Sequence, residues 1–535
     1  MKNAKSAWKK AAVIFLAVSI LLAMSMVSFA DTAAETSKTS TITVHNVESG
    51  ATVTAYKVVK DVNGYWTAIT DKQGHKLQVG EDGKVTLASD DVTQLAQDIA
   101  GGDSGLASIE LTGSGDSYTV SGAEPGLYLV LVSKTNSSKV YNPMIVAVNY
   151  DKDGNASAGS IDANSSFTDS AGNTAYAKSS KPSLTKSIIG KNGKTVDAVK
   201  GQTLNENGTT TFRISAVMPS YSKAYTNPTF SISDTVSEGI TVDENSIAVK
   251  AGEETLTKDT DYTITKGEGE TFSVSFTEAY IRKGTAAREI TVTYNGTLNS
   301  KAVSGFNKNT NTAKLTYSET VNSTNTKTDT TNHYTFDIDG DVYGQTEGHE
   351  FYKIKGDDGS IQTVDLITGK AEQALKGAQF ALYPAEKDAF GKIVKVENAA
   401  AVATGTSDED GRVALKRLDT GYYILQETSA PSGYQLNSTE IPVEITASLN
   451  SADGTLTSYT VSINGQNTTY TLNNDSTVST SDGSNGSAKT VTLENKESGL
   501  LPTTGGSGIY FYLIAGGLLI ALAAVLYTKN RRKQQ

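Results

Sequence analysis

Apolar and polar residues alternate along most of this chain in short runs. Thr41-Ile42-Thr43-Val44, Phe272-Ser273-Val274-Ser275-Phe276 and Ile290-Thr291-Val292-Thr293-Tyr294 show the pattern. A period of two places every second side chain on one face, as in a half-buried strand. Turn residues interrupt the runs every ten or so positions, which predicts an all-β chain of packed sandwiches. Helical periodicity is sparse. Ser89 to Ala100 (SDDVTQLAQDIA) is the best short helix, with Ser89 or Asp90 expected as its cap.

Two stretches lose the alternation because they are continuously apolar. Ala11 to Val27 follows Lys2, Lys5, Lys9 and Lys10, and Ser28 and Ala30 supply small residues before Asp31. This predicts a signal peptide over 1–30, removed on export. Ile509 to Tyr527 is a run of 19 uncharged residues, long enough for a transmembrane helix, and Lys529, Arg531, Arg532 and Lys533 keep the tail beyond it cytoplasmic.

Two polar stretches read as seams. One runs from Asn164 to Thr185 and contains Lys181-Pro182; the other, Val321 to Asn332, reads VNSTNTKTDTTN and offers nothing to bury. The expected domains are 31–180, 181–325 and 333–500, with 501–535 as a C-terminal routing segment. The length of 535 residues suits three such domains.

Composition narrows the function. The formal net charge is −11, and losing both basic ends removes eight positive charges and no acid, giving −19. That argues against a nucleic-acid partner. With no cysteine, disulfides, thiolate catalysis and zinc-finger sites are all absent. His45, His75, His333 and His349 have no metal spacing, so surface or edge positions are expected, with no metal and no cofactor. Asp151-Lys152-Asp153-Gly154-Asn155 and Asp337-Ile338-Asp339-Gly340-Asp341 lack the glycine and bidentate glutamate of a calcium loop and read as hairpin turns. No cleft with paired acids or a nucleophile–base pair is suggested, so an enzyme is not expected.

Three motifs carry the function. Leu501-Pro502-Thr503-Thr504-Gly505 precedes the apolar span and basic tail, and this order resembles the cell-wall sorting signal of Gram-positive surface proteins. In that family a sortase cleaves between the residues matched by Thr504 and Gly505. Pro502 holds the peptide extended for a groove. Second, Leu375-Lys376-Gly377-Ala378-Gln379-Phe380 and Gly421-Tyr422-Tyr423-Ile424-Leu425-Gln426-Glu427 resemble the collagen-adhesin B-type domain, an immunoglobulin-like β-sandwich. There a first-strand lysine bonds covalently to a last-strand asparagine beside an acid. The matching residues are Lys353, Asn495 and Glu427. Lys355 lies on the same strand face, so periodicity leaves it open, although the apolar-Lys-apolar pattern favours Lys353. An insertion between residues 356 and 374 departs from the compact domain. The middle domain resembles the central domain of Gram-positive pilins, where an Asp takes the acid role, and the matching residues are Lys186, Asp234 and Asn311, with Asn311 on the expected last strand. In the first domain Val132 stands where Glu427 does in the third, so no such bond is expected there.

The chemistry behind these sets is simple. An amine attacks only when neutral, and burial among apolar groups favours that form. Burial equally favours a protonated carboxyl, which can polarise the asparagine amide and relay protons as ammonia leaves. Closing loops of 125 and 142 positions would contribute on the order of 4–5 kcal/mol each, by analogy with disulfides.

The third motif is Ala175-Tyr176-Ala177-Lys178-Ser179-Ser180-Lys181-Pro182, which resembles the pilin motif of Gram-positive major pilins through Tyr176 and Lys178. Together these resemblances identify a sortase-assembled backbone pilin. They imply a filament in which Thr504 of one subunit joins Lys178, or secondarily Lys181, of the next. The implied partners are a pilus-assembly (class C) sortase, identical subunits, minor pilins, and peptidoglycan through a housekeeping sortase. The implied location is the wall and surface pilus of a Gram-positive bacterium. A minor pilin or wall-anchored adhesin for a host ligand is the alternative.

Overall fold

The computed structural model describes residues 39–62, 65–79, 85–148, 173–284, 286–339, 350–365, 373–481, 489–498 and 508–532. The signal segment, the Asp151 cluster, His349 and the sorting pentapeptide lie outside them. The chain divides into two compact units, one of residues 1–303, 307–335 and 449–456, the other of 304–306, 336–448 and 457–535.

The first unit opens with an eight-stranded sheet. Its central path runs Met144–Val148, Gly126–Ser133, Thr52–Val62, Ser108–Ser114, Ser117–Ala123, Ser40–His45 and Thr174–Tyr176. Val44, Val53, Tyr128, Val130 and Val146 fill one core of this sheet. A second core forms where helix α1 (Ser89–Ala100) lays Leu95, Ala96 and Ile99 against Val58, Leu127, Leu129 and Ile145. The helix has the predicted span, but its N-cap residue is Ala88 and no side chain caps it; Asp90 and Asp91 fall inside the first turn, where negative charge suits the helix dipole. Thr174–Tyr176 pairs in parallel with Ser40–His45, and Ser179–Ser180 pairs with Val140–Tyr141. The C-terminal part of the first expected seam is therefore bound into sheets.

Two six-stranded sheets follow, packed over a core that includes Ile188, Phe212, Ile214, Ile232, Val274, Val292 and Leu315. Each large apolar side chain buried here is worth about 1.5–3 kcal/mol. One sheet holds Leu184–Lys191, Thr209–Met218 and Arg288–Leu298; the other holds Phe230–Val236, Phe272–Phe276 and Asn309–Thr320. The second expected seam is corrected here. Ser323–Tyr334 is a twelve-residue strand paired antiparallel with Asn309–Thr320 and, at its end, in parallel with Gly201–Thr203. Thr331, Asn332, His333 and Tyr334 are buried. A polar sequence holds as a strand because its ladder is satisfied by neighbours rather than by an apolar face. The Asn311 strand is thus penultimate, not last.

In the second unit a three-stranded sheet places Lys489–Asn495 between Phe351–Lys355, parallel, and Ile361–Asp365, antiparallel. The insertion after residue 356 supplies that third strand. A larger sheet includes Gln379–Lys387, Gly421–Ser429, Ile441–Leu449 and Leu456–Ile463. Phe351 of the smaller sheet meets Phe380 of the larger edge to face at 5.4 Å. At the C-terminus, Gly508–Arg531 is a helix long and apolar enough to cross a membrane, with Lys529 and Arg531 in its last turn.

Candidate functional sites

Strand alternation aims four polar side chains into the middle core. Leu184–Lys191 turns Lys186, Ile188 and Gly190 inward, and Phe230–Val236 turns in Phe230, Ile232 and Asp234. Asn309–Thr320 contributes Asn311 between Asn309 and Ala313, while Arg288–Leu298 contributes Tyr294 after Ile290 and Val292. Lys186, Asp234 and Asn311 are fully buried. Lys186 Nζ donates to Asp234 Oδ2 and to the Tyr294 hydroxyl, and Asn311 Nδ2 donates to the same hydroxyl at 2.9 Å. Tyr294 therefore joins the lysine to the asparagine. Composition gave no sign of this role, because an inward tyrosine on an alternating strand reads as ordinary core.

The electrostatics favour the neutral forms. Burial pulls the Lys186 ammonium down to about 8 against the opposing pull of Asp234, and burial pushes the Asp234 carboxyl up against the pull of Lys186. Asp234 Oδ1 and Asn311 Oδ1 are buried without a donor, and a proton on the carboxyl is the donor such a site lacks. The backbone of Lys186 is pinned from behind. Its N–H donates to Asp329 Oδ2 at 2.6 Å, its carbonyl accepts from Lys200 Nζ at 2.7 Å, and Lys200 and Asp329 pair with each other. His333 is buried at the rim, edge-on to Phe212 and 3.2 Å from Thr210 Oγ1, with burial drawing its pKa to about 3. This corrects the expected surface position for that histidine.

The second unit holds a like set of buried residues on different strands. Lys353, Glu427 and Asn495 are buried, at no more than 2% exposure. Lys353 Nζ lies 2.5 Å from Asn495 Oδ1 and 3.5 Å from Glu427 Oε2, and Asn495 Nδ2 donates to Glu427 Oε1 at 2.8 Å. The backbone N–H of Asn437 donates to Glu427 Oε2 at 3.1 Å. The amine thus faces the amide oxygen, and the acid faces the nitrogen that would leave. Burial brings Lys353 to about 8 despite Glu427. Lys355 sits opposite Asn495 in the parallel register, yet its side chain is 43% exposed and bonds Glu497 at 2.6 Å. Register neighbours in a ladder need not be side-chain neighbours; here the lysine two residues earlier reaches the amide.

Lys178 lies between the short strands Thr174–Tyr176 and Ser179–Ser180. It is exposed, its carbonyl accepts from Asn142 N at 3.2 Å, and partial desolvation lowers its pKa from the ordinary lysine value. Tyr176 stacks on His45 at 5.0 Å. Lys181 is also exposed. Val132 lies on Gly126–Ser133, and Lys57 of the neighbouring strand pairs with the exposed Glu124 at 2.8 Å. Asp337 and Asp339 are buried rather than at a surface turn. Asp339 accepts from the N–H groups of Glu350 and Phe351 at 2.7 and 3.0 Å, and burial next to Glu350 raises its pKa well above the carboxylate range. His75 meets Asp98 at 2.6 Å, so this histidine is not isolated either.

Tyr294→Phe should keep the ring contacts with Phe212 and Phe272, at 5.1 and 4.9 Å, and remove only the bridging hydroxyl. If the hydroxyl relays protons, loss of ammonia from the middle domain slows about tenfold or more. Intact mass followed over time after folding measures it, and an unchanged rate removes Tyr294 from the chemistry.

Four family models match this chain in order. They are the T6 antigen Ig-like domain at 37–179, the Gram-positive pilin backbone subunit 2, Cna-B-like domain at 208–322, the SpaA prealbumin-like fold domain at 361–459, and the LPXTG cell wall anchor motif at 494–535. The trypsin-resistant surface T6 protein of Streptococcus pyogenes serotype M6 is 27% identical over 552 residues, covering 92% of this chain and 95% of that protein. The solved three-domain structure of the T6 backbone pilin of serotype M6 Streptococcus pyogenes matches at TM-score 0.55 and 20% identity, over 87% of this chain and 99% of that one.

Proposed function

We propose, for a chain that belongs to the backbone pilins of Gram-positive bacteria, that both buried lysine–acid–asparagine sets close into amides and that Lys178 receives the next subunit. As a backbone pilin it is a structural subunit of a sortase-assembled pilus anchored in the cell wall. The observation that carries the internal chemistry is the burial of two such sets, Lys186–Asp234–Asn311 and Lys353–Glu427–Asn495, in successive sandwiches. In each, neutral lysine Nζ attacks the asparagine Cγ. The acid takes the proton shed by the amine and passes one to the leaving nitrogen, so one C–N bond forms, one breaks, and ammonia departs. The groups are consumed, so the reaction turns over once and the chain is not an enzyme in the ordinary sense.

Between subunits, a pilus-assembly (class C) sortase would cleave after Thr504 and hold the acyl group. An exposed Lys178 with a depressed pKa is suited to take it, because the free amine fraction rises as the pKa falls. A housekeeping sortase would attach the filament to peptidoglycan, and minor pilins would share the fibre. A head-to-tail linkage of this kind does not close on itself and so makes a filament.

Expressed with its sortase, the parent should give a ladder of high-mass species that survives boiling in detergent. Lys178→Ala or Thr504→Ala should collapse the ladder to monomer. A ladder persisting when Lys178 and Lys181 are both Ala overturns the lysine assignment.

A further inference from the structure

The first sandwich holds a cluster that the polymer chemistry does not use. After Tyr65–Ala68 the chain turns tightly on Asp71: Asp71 N donates to the His75 carbonyl at 2.9 Å, and Asp71 Oδ1 accepts from Gln73 N and His75 N at 2.9 and 2.8 Å. This turn brings the His75 ring back beside the Asp71 carboxylate. Helix α1 supplies Asp98 from the other side, with Oδ2 2.6 Å from His75 Nδ1. One ligand atom from each of Asp71, His75 and Asp98 lies within 4.8 Å of the other two.

An ordinary His–Asp pair leaves one feature unexplained. The Asp71 side chain is wholly buried, and its Oδ2, 4.0 Å from His75 Nδ1, accepts no hydrogen bond. A buried carboxylate oxygen without a donor is costly. It points into the same cluster, where a cation would satisfy it. His75 is 41% exposed, so solvent can reach the cluster from that side.

We propose that Asp71, His75 and Asp98 form a binding site for a divalent transition-metal cation of the zinc class. One imidazole nitrogen with two carboxylates suits zinc, whereas calcium and magnesium prefer oxygen alone. Nδ1 would be the ligating nitrogen, leaving Nε2 to solvent. Water would complete a tetrahedral shell at metal–ligand distances of about 2.0–2.2 Å. Binding would displace any proton held between His75 and Asp98. It would also tie the 71–75 turn to the helix that covers the second core.

The test is zinc titration of the full chain in detergent by calorimetry, with cobalt as a spectroscopic stand-in. One zinc per chain is expected, together with a cobalt d–d absorption band of tetrahedral intensity. His75→Gln and Asp98→Asn should each weaken zinc by about tenfold or more and abolish the band. Asp103→Asn should change neither, since that exposed carboxylate only pairs with Lys72 and Gln73. Circular dichroism shows whether each variant is folded, and should Asp98→Asn unfold, His75→Gln alone decides. No zinc binding, equal binding by the His75→Gln chain, or displacement of zinc by equimolar calcium overturns the proposal.

Discussion

Glu427→Ala should leave the chain with one ammonia lost instead of two and should destabilise the second unit. The acid touches both reacting groups, 3.5 Å from Lys353 Nζ and 2.8 Å from Asn495 Nδ2, and without it the amide is not activated. The variant then lacks a crosslink across 142 positions, worth on the order of 4–5 kcal/mol by the chain-entropy argument. It also keeps Lys353 buried without its hydrogen-bonded acid. Intact mass and thermal unfolding of parent and variant measure both effects. Lys355→Ala is the companion, and it should keep both ammonia losses because the Lys355 amine pairs with Glu497 at the surface while Lys353 faces the Asn495 amide. A missing ammonia in Lys355→Ala would assign the bond to Lys355 instead.

Bond formation should also slow steeply in acid. Burial brings Lys186 and Lys353 each to about 8, so below that pH the neutral amine falls tenfold per unit. A chain never allowed to fold, then refolded at pH 6, should lose ammonia about fifty times more slowly than at pH 8. Stability before the bond forms follows from the same shift. The folded value lies below the unfolded 10.5, so between about 8 and 10.5 the unfolded chain holds more protons. The unbonded fold therefore gains stability as pH rises through that window and bears the full cost below it. Once the amide exists the group no longer titrates. Quenched mass measurements across this range decide the point, and a flat pH profile would show that deprotonation of the amine does not gate the reaction.

What could be read from the sequence depended on how far each signal travelled along the chain. Lys186, Asp234 and Lys353 were legible through motifs that resemble the collagen-adhesin B-type and pilin domains, whereas strand alternation alone left Lys353 and Lys355 on one face. Tyr294 was not legible, because tyrosine at such a position is common. Val321–Asn332 misled because its threonines and asparagines carry no apolar face. Its strand exists through the long antiparallel ladder with Asn309–Thr320, closed at its end by Gly201–Thr203, which only the fold assembles. The cap of α1 failed for a local reason, since the helix begins one residue too early for Ser89 to serve. Asp71, His75 and Asp98 illustrate the opposite limit. Nothing in the spacing of 71, 75 and 98 marks a cluster until the turn and the helix are packed together.

The placement of the two reacting pairs has a mechanical meaning. In the proposed filament, tension enters a subunit at Lys178 and leaves at Thr504. Lys186 lies just beyond the entry point, and each amide would hand the load directly from Lys186 to Asn311 and from Lys353 to Asn495. The load would then run through the connecting stretches outside the two loops, while the strands between Lys186 and Asn311 and between Lys353 and Asn495 stay outside the load path. The first sandwich lies upstream of Lys178 and would meet the load only where Ser179–Ser180 pairs with Val140–Tyr141. It is also the sandwich with Val132 where the third has its acid. A domain that meets the load only at that edge needs no covalent brace, and so remains free to vary its surface.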